Sequence, residues 1–151
     1  MPVFKKIVVP VDGSAPSNAA AALAISIGRD QKAQIVFLNV CETARIIAMM
    51  STPAVGADPS LALTAEKEAG DQALAQSRDA ATAGGISFET KQMEGGSVDT
   101  ILSVADSTGA DLIVIGSHGR GGIARAVLGS VAEGVMRRSR VPVLITHVAA
   151  P

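Results

Sequence analysis

The sequence predicts an α/β fold, a parallel sheet carrying helices on both faces, in one domain of 151 residues. Two observations carry that expectation. Short, mostly apolar runs alternate with longer helical stretches along the whole chain, with no internal repeat. Val and Ile dominate four of the five apolar runs, as in strands covered on both faces.

The elements follow in order. Residues 4–11 form the first strand. Ser17 is placed to cap an alanine-rich helix running to about Gly28, whose small side chains allow close approach to a sheet. Residues 34–41 read as the second strand. A helix over residues 61–83 sets Lys67 and Asp71 four apart on a solvent face, and Gly84-Gly85 stops it. Residues 86–93 alternate polar and apolar, the mark of an edge strand with one wet face. A third helix covers residues 97–107, a fourth strand 111–116, a fourth helix 129–138 and a last strand 141–148. Residues 42–60 break this rhythm with two Pro, one Gly and the run Ile46-Ile-Ala-Met-Met50. So long a connection reads as a flexible loop, either a binding flap or an insertion packed on the second helix.

Composition excludes several classes. Lys and Arg number 13 against 14 Asp and Glu, a net charge of -1, which leaves no electrostatic footprint for nucleic acid or anionic lipid. Three Phe, with no Trp or Tyr, offer no base-stacking platform. The single Cys41 excludes an intrachain disulfide and fits a reducing, cytoplasmic setting. No apolar run approaches the ~20 residues of a bilayer crossing, and the N-terminus reads as a strand rather than a targeting segment.

The chemistry gathers after the fourth strand. Gly116, Gly119 and Gly129 stand at spacing G-x2-G-x9-G, with Ser130 directly after the last. A phosphate chain must approach main-chain N–H groups closely, which side chains would obstruct, and a helix N-terminus adds unpaired donors and partial positive charge. The pattern begins where a strand ends and closes where a helix starts, the end of an open α/β sheet at which ligands bind. Arg120 and Arg125 between the glycines supply cationic charge. The competing reading is a plain glycine-rich surface loop. At the end of the first strand, Asp12 suits a ribose hydroxyl or a hydrated Mg²⁺ on phosphate oxygens, and equally suits a turn. His118 is a candidate base or phosphate donor, although a solvated loop histidine is the plainer reading. Cys41 reads as an inert buried thiol, and His147 as interface packing. No G-x4-G-K-[S/T] loop appears, no paired acids end the first strand, and no G-x-G-x-x-G opens the first helix, where Gly13-Ser-Ala-Pro-Ser stands instead.

Ile7-Val-Val-Pro-Val-Asp-Gly-Ser14, Asp111-Leu-Ile-Val-Ile-Gly-Ser-His-Gly119, Leu128-Gly-Ser-Val-Ala-Glu133 and Val141-Pro-Val-Leu-Ile145 resemble the universal stress protein (UspA-like) family over essentially the whole chain. The glycine spacing resembles that of its ATP-binding members. The resemblance implies a Rossmann-like sheet of the adenine nucleotide alpha hydrolase type, strand order 3-2-1-4-5, with Asp12 facing Gly116 across the switch point. It implies ATP as ligand, with Mg²⁺ or Mn²⁺ carried on the nucleotide near Asp12. Pro10, Val11 and Asp12 would line the site, Val40 would meet adenine through its main chain, and Gly116, Gly119, Gly129 and Ser130 would cradle sugar and phosphates. Ser117, His118, Arg120 and Val131 complete the implied set. The resemblance further implies a homodimer through the last strand, residues 143–148, with Val143 and Val148 at its ends. The expected function is an ATP-binding stress-response regulator, with at most slow hydrolysis or autophosphorylation on Ser117 or Ser130. The alternatives are a nucleotide-independent scaffold that binds a protein partner through residues 42–60, and a phosphotransferase or adenylyltransferase using the same cradle.

Overall fold

The computed structural model describes residues 2–51, 58–119 and 128–148. Arg120 and Arg125 lie outside that set. The elements are β1 (Lys6–Pro10), α1 (Ala15–Gln31), β2 (Gln34–Cys41), α2 (Thr43–Met50), α3 (Pro59–Gly84), β3 (Phe88–Glu94), α4 (Ser97–Thr108), β4 (Leu112–Gly116), α5 (Ser130–Arg138) and β5 (Val143–Thr146). They form a five-stranded sheet of order β3-β2-β1-β4-β5, parallel at each pairing. The expected fold class and strand order both hold.

Side-chain alternation divides the core into two layers. Ile7, Val9, Ile35 and Phe37 pack toward α1 and α3, where Ala20, Ala24 and Ala73 let the helices come close. Val8, Val36, Leu38, Ile113 and Ile115 pack toward α4 and α5 on Ile101, Val104 and Val135. Both layers bury the central strands, which is why those runs are continuously apolar. β3, at the edge, is half-buried or exposed along its length, as its polar alternation predicts.

Several boundaries differ from the sequence reading. The cap of α1 is Ser14 rather than Ser17: its side chain accepts from Ser17 N, and Pro16 occupies the first turn, where its missing N–H costs nothing. Residues 43–50, read as loop, form α2. That helix is eight residues long and buries none of them fully, and Pro53 and Gly56 just after it mark the segment as a loop in the sequence. Lys67 pairs across to Glu94 on β3 at 3.1 Å. The last strand is shorter than expected, ending at Thr146, whose hydroxyl donates to Pro16 O at 3.1 Å.

β1 stays paired with β2 through Pro10–Leu38, whereas its register with β4 covers only Ile7–Leu112 and Val8–Ile113. Beyond that point β1 and β4 part. A crevice opens at their carboxyl ends, where strand order reverses.

Candidate functional site

The crevice encloses about 290 Å³, at the lower edge of the roughly 300–1,000 Å³ of small-molecule sites. Every sequence-predicted site residue that the structure describes lines it.

The β1 side is held by side chains. Val11 N donates to Leu38 O at 2.8 Å, the last main-chain tie before the chain leaves the sheet. Asn39 Nδ2 donates to Val11 O at 2.9 Å, and Asp12 N donates to Ser17 Oγ at 3.0 Å. Ser14 N donates to Asp12 Oδ1 at 2.9 Å. Between them Gly13 takes φ +83°, a left-handed turn that favours glycine.

The β4–α5 side is held by main chain. Ser117 N donates to Thr146 O at 2.9 Å, and Gly129 N to Ser117 O at 2.7 Å. The motif glycines have ordinary backbone angles, for the positive-φ glycines lie elsewhere. Space is what they provide. A β-carbon on Gly116 would stand 2.7 Å from Pro16 C, and one on Gly129 would stand 2.8 Å from Ser117 O. A β-carbon on Gly119 would stand 2.7 Å from Asp12 Oδ2. The carboxylate therefore lies over Gly119, while Gly116, expected opposite Asp12, abuts the start of α1.

α5 opens on the crevice at Ser130 and Val131. Its N-cap, Gly129, offers no side-chain hydrogen bond, and the first internal bond returns from Glu133 N to Gly129 O. The first-turn N–H groups thus bring the positive end of the helix dipole to the crevice wall. Buried Ser117 and half-buried His118 stand beside them, with Ser117 Oγ 3.2 Å from His118 Nδ1.

The β2 and α4 walls hold residues that sequence reasoning missed. Asn39 does carry a signal: a lone amide in a strand covered on both faces needs internal partners. Arg45 carries none, because α2 itself was unread, and Ser97 was read only as the first residue of its helix. Glu42 joins these two, with Oε2 2.9 Å from Arg45 and Oε1 accepting from Ser97 N at 3.3 Å. Burial raises the Glu42 pKa, but the hydrogen bonds from Arg45 and Ser97 and the Arg45 charge outweigh it, leaving the carboxyl below its ordinary value of 4.5. Just outside the crevice, Cys41 is buried. Burial and then the Glu66 charge push its thiol up, which keeps it protonated at neutral pH. His147 is exposed at the end of β5. Among the described residues no group of three or more His, Cys, Asp and Glu could hold a metal, and no helix is long and apolar enough to cross a membrane.

The model of the universal stress protein family matches residues 4–147. The chain belongs to the universal stress protein family. It is 37% identical to universal stress protein MJ0531 of Methanocaldococcus jannaschii over 145 residues, 95% of this chain and 82% of that relative. Universal stress protein UspA from Lactobacillus plantarum superposes with a TM-score of 0.79 at 28% identity, over 94% of this chain and 97% of the other. A universal stress protein crystallised in complex with cAMP superposes with a TM-score of 0.67 at 29% identity, over 97% of this chain and 98% of the other. For a family member, then, the crevice lies where β1 and β4 diverge, with an anion-favouring helix terminus on one wall and a carboxylate on the other.

Proposed function

We propose that this universal stress protein is a stress-response regulator that binds ATP, with Mg²⁺ carried on the nucleotide, in the crevice between β1 and β4. The observation that carries the reading is the convergence of Asp12 with Gly116, Gly119 and the Gly129–Ser130 start of α5, all remote from it in sequence, on one cleft at the switch point. The relative solved with cAMP supports an adenine nucleotide as the ligand class.

The residues present suit that ligand. Apolar Val40, Ile101 and Ile115 line one part of the cleft and suit a base, with Val40 offering its main chain. Gly116, Gly119, Gly129 and Ser130 line the other part, where sugar and phosphates would lie, beside Ser117 and His118. Asp12 is a single carboxylate, which matches how Mg²⁺ binds to nucleotides: most of its ligands are phosphate oxygens and water. Bound Mg²⁺ supplies charge neutralisation on the phosphates. Arg120 belongs to the proposed set by sequence alone. Turnover is slow in this reading, or directed to the hydroxyl of Ser117 or Ser130. A homodimer through the β5 edge completes it, since an unpaired edge invites a second strand.

The test is calorimetry with Mg²⁺ and ATP, with cAMP as competitor. Saturable heat that an adenine nucleotide competes away is the expected result. No heat at millimolar ATP or cAMP ends the nucleotide reading. A second reading, a nucleotide-independent scaffold, is favoured by one feature: α2 and the start of α3 expose Ile47, Met49 and Leu61, the last 71% exposed. A partner captured equally well by wild type and by a nucleotide-blind variant supports it.

A further inference from the structure

A single peptide group at the mouth of the crevice is gripped at both of its polar atoms by buried side chains. The group joins Val11 to Asp12. Its oxygen accepts from Asn39 Nδ2 at 2.9 Å, and its N–H donates to Ser17 Oγ at 3.0 Å. Asn39 comes from β2 and Ser17 from α1, and they are 3% and 4% exposed.

Each gripping side chain is itself fixed. Asn39 Oδ1 faces Gln92 Nε2 at 3.4 Å and Cys41 Sγ at 3.6 Å, and Gln92 in turn donates to Lys67 O at 3.0 Å. Gly70 of α3 closes over this cluster, with no room for a β-carbon against Asn39 Oδ1. Ser17 sits in the first turn of α1, its N–H donating to Ser14 Oγ at 3.3 Å.

We propose that Asn39 and Ser17 are positioning residues that fix the Val11–Asp12 peptide and through it the Asp12 carboxylate for a metal–phosphate ligand. The last main-chain tie of β1 to the sheet is Val11 N to Leu38 O, so sheet pairing stops short of Asp12 and does not by itself define the path of the chain there. Hydrogen bonds from opposite sides set both the place and the plane of the peptide. The Val11 carbonyl is thereby turned onto Asn39, where its negative end is matched by an amide donor instead of opposing an anionic ligand. Asp12 Cα is bonded directly to the clamped nitrogen, and Ser14 N pins the carboxylate itself. Such preorganisation moves the cost of ordering from binding to folding. The ligand half of this inference rests on the nucleotide reading, while the clamp half does not.

The test combines amide hydrogen exchange of the ligand-free protein with calorimetry using Mg²⁺·ATP and, separately, adenosine. In Ser17→Ala the Asp12 amide is expected to exchange at least about tenfold faster, and Val8 and Val9 at unchanged rates, because one hydrogen bond is lost locally. Affinity for Mg²⁺·ATP should fall about fivefold to tenfold, the worth of one fixing hydrogen bond, while adenosine binding stays within about twofold. Ser17→Thr should restore both. Asn39→Leu, which leaves the Val11 carbonyl unmatched, should repeat the selective loss; if it fails to fold, Ser17→Ala decides. Equal weakening of ATP and adenosine, or an unchanged Asp12 exchange rate, overturns the positioning role. A wild-type protein that takes no Mg²⁺·ATP, but whose Asp12 amide still loses protection in Ser17→Ala, overturns the nucleotide reading and leaves the clamp standing.

Discussion

The two walls of the crevice are built by opposite means. On the β1 side, buried side chains hold the main chain: Asn39 and Ser17 grip the Val11–Asp12 peptide. On the β4–α5 side, main chain holds main chain, through Ser117 N to Thr146 O and Gly129 N to Ser117 O, and glycines permit the approach. The difference teaches where each wall can be broken. The first is vulnerable to losing a polar atom, the second to gaining a carbon.

Gly116→Ala is the largest expected effect. Its β-carbon would meet Pro16 C at 2.7 Å and Pro16 O at 2.9 Å, backbone that cannot yield without moving the start of α1. Overpacking of this kind costs about 3 kcal/mol, read from the urea midpoint. Gly119→Ala makes the informative contrast, because the atom in its way, Asp12 Oδ2 at 2.7 Å, ends a side chain rather than lying in backbone, and it can move by giving up the Ser14 N–H that pins it. Stability should fall by less than about 1 kcal/mol there, with the loss appearing in Mg²⁺·ATP affinity. Equal destabilisation by the two alanines would mean that the wall is not held as described.

Gly70→Ala probes the first wall from behind. The added carbon would press on Asn39 Oδ1 and stand 2.6 Å from Gln92 Nε2. Gln92 has room to retreat and buried Asn39 has not. The expected cost is about 2 kcal/mol, accompanied by faster exchange at amides around Asp12. A full cost without any change near Asp12 would confine the cluster to joining α3 with the sheet.

Much of this was readable in the residues, and what escaped shares one cause. Strands such as Leu112–Gly116 announce themselves because both faces are buried, so their apolar character is unbroken. That residues 116, 119 and 129 gather on one crevice was legible, but the reason for glycine there was not. Proximity to a phosphate and proximity to Pro16 or Ser117 O impose the same residue, and only tertiary packing separates them. α2 escaped because it is only eight residues long and lies in a segment that Pro53, Gly56 and Pro59 mark as loop. The cap moved from Ser17 to Ser14 because two serines three apart each fit the role. Pro16, favoured in a first turn, was the deciding residue. Ser17, relieved of capping, became part of the clamp.

The start of α2 is tied to α4 by a third kind of contact, the Glu42 carboxylate, which pairs with Arg45 and accepts from Ser97 N, and it supplies the smallest effect. Glu42 bridges Arg45 and Ser97 N, and its carboxyl is held below its ordinary value of 4.5. A group whose pKa is depressed on folding contributes fully above its unfolded value, and that contribution fades as pH falls through the lower folded value. Arg45 is 73% exposed and Glu42 28%, so solvent screening holds the stabilisation below about 1 kcal/mol. Glu42→Gln should therefore be slightly less stable than wild type at neutral pH, with the two urea midpoints converging as the solution is acidified below 4.5. Other carboxylates titrate in the same range, but they do so in both proteins and cancel in the difference. A gap of constant size down to low pH would show that the Glu42 side chain acts by shape rather than charge. α2 would then be fastened to the crevice rim by packing on α3 instead of by its carboxylate.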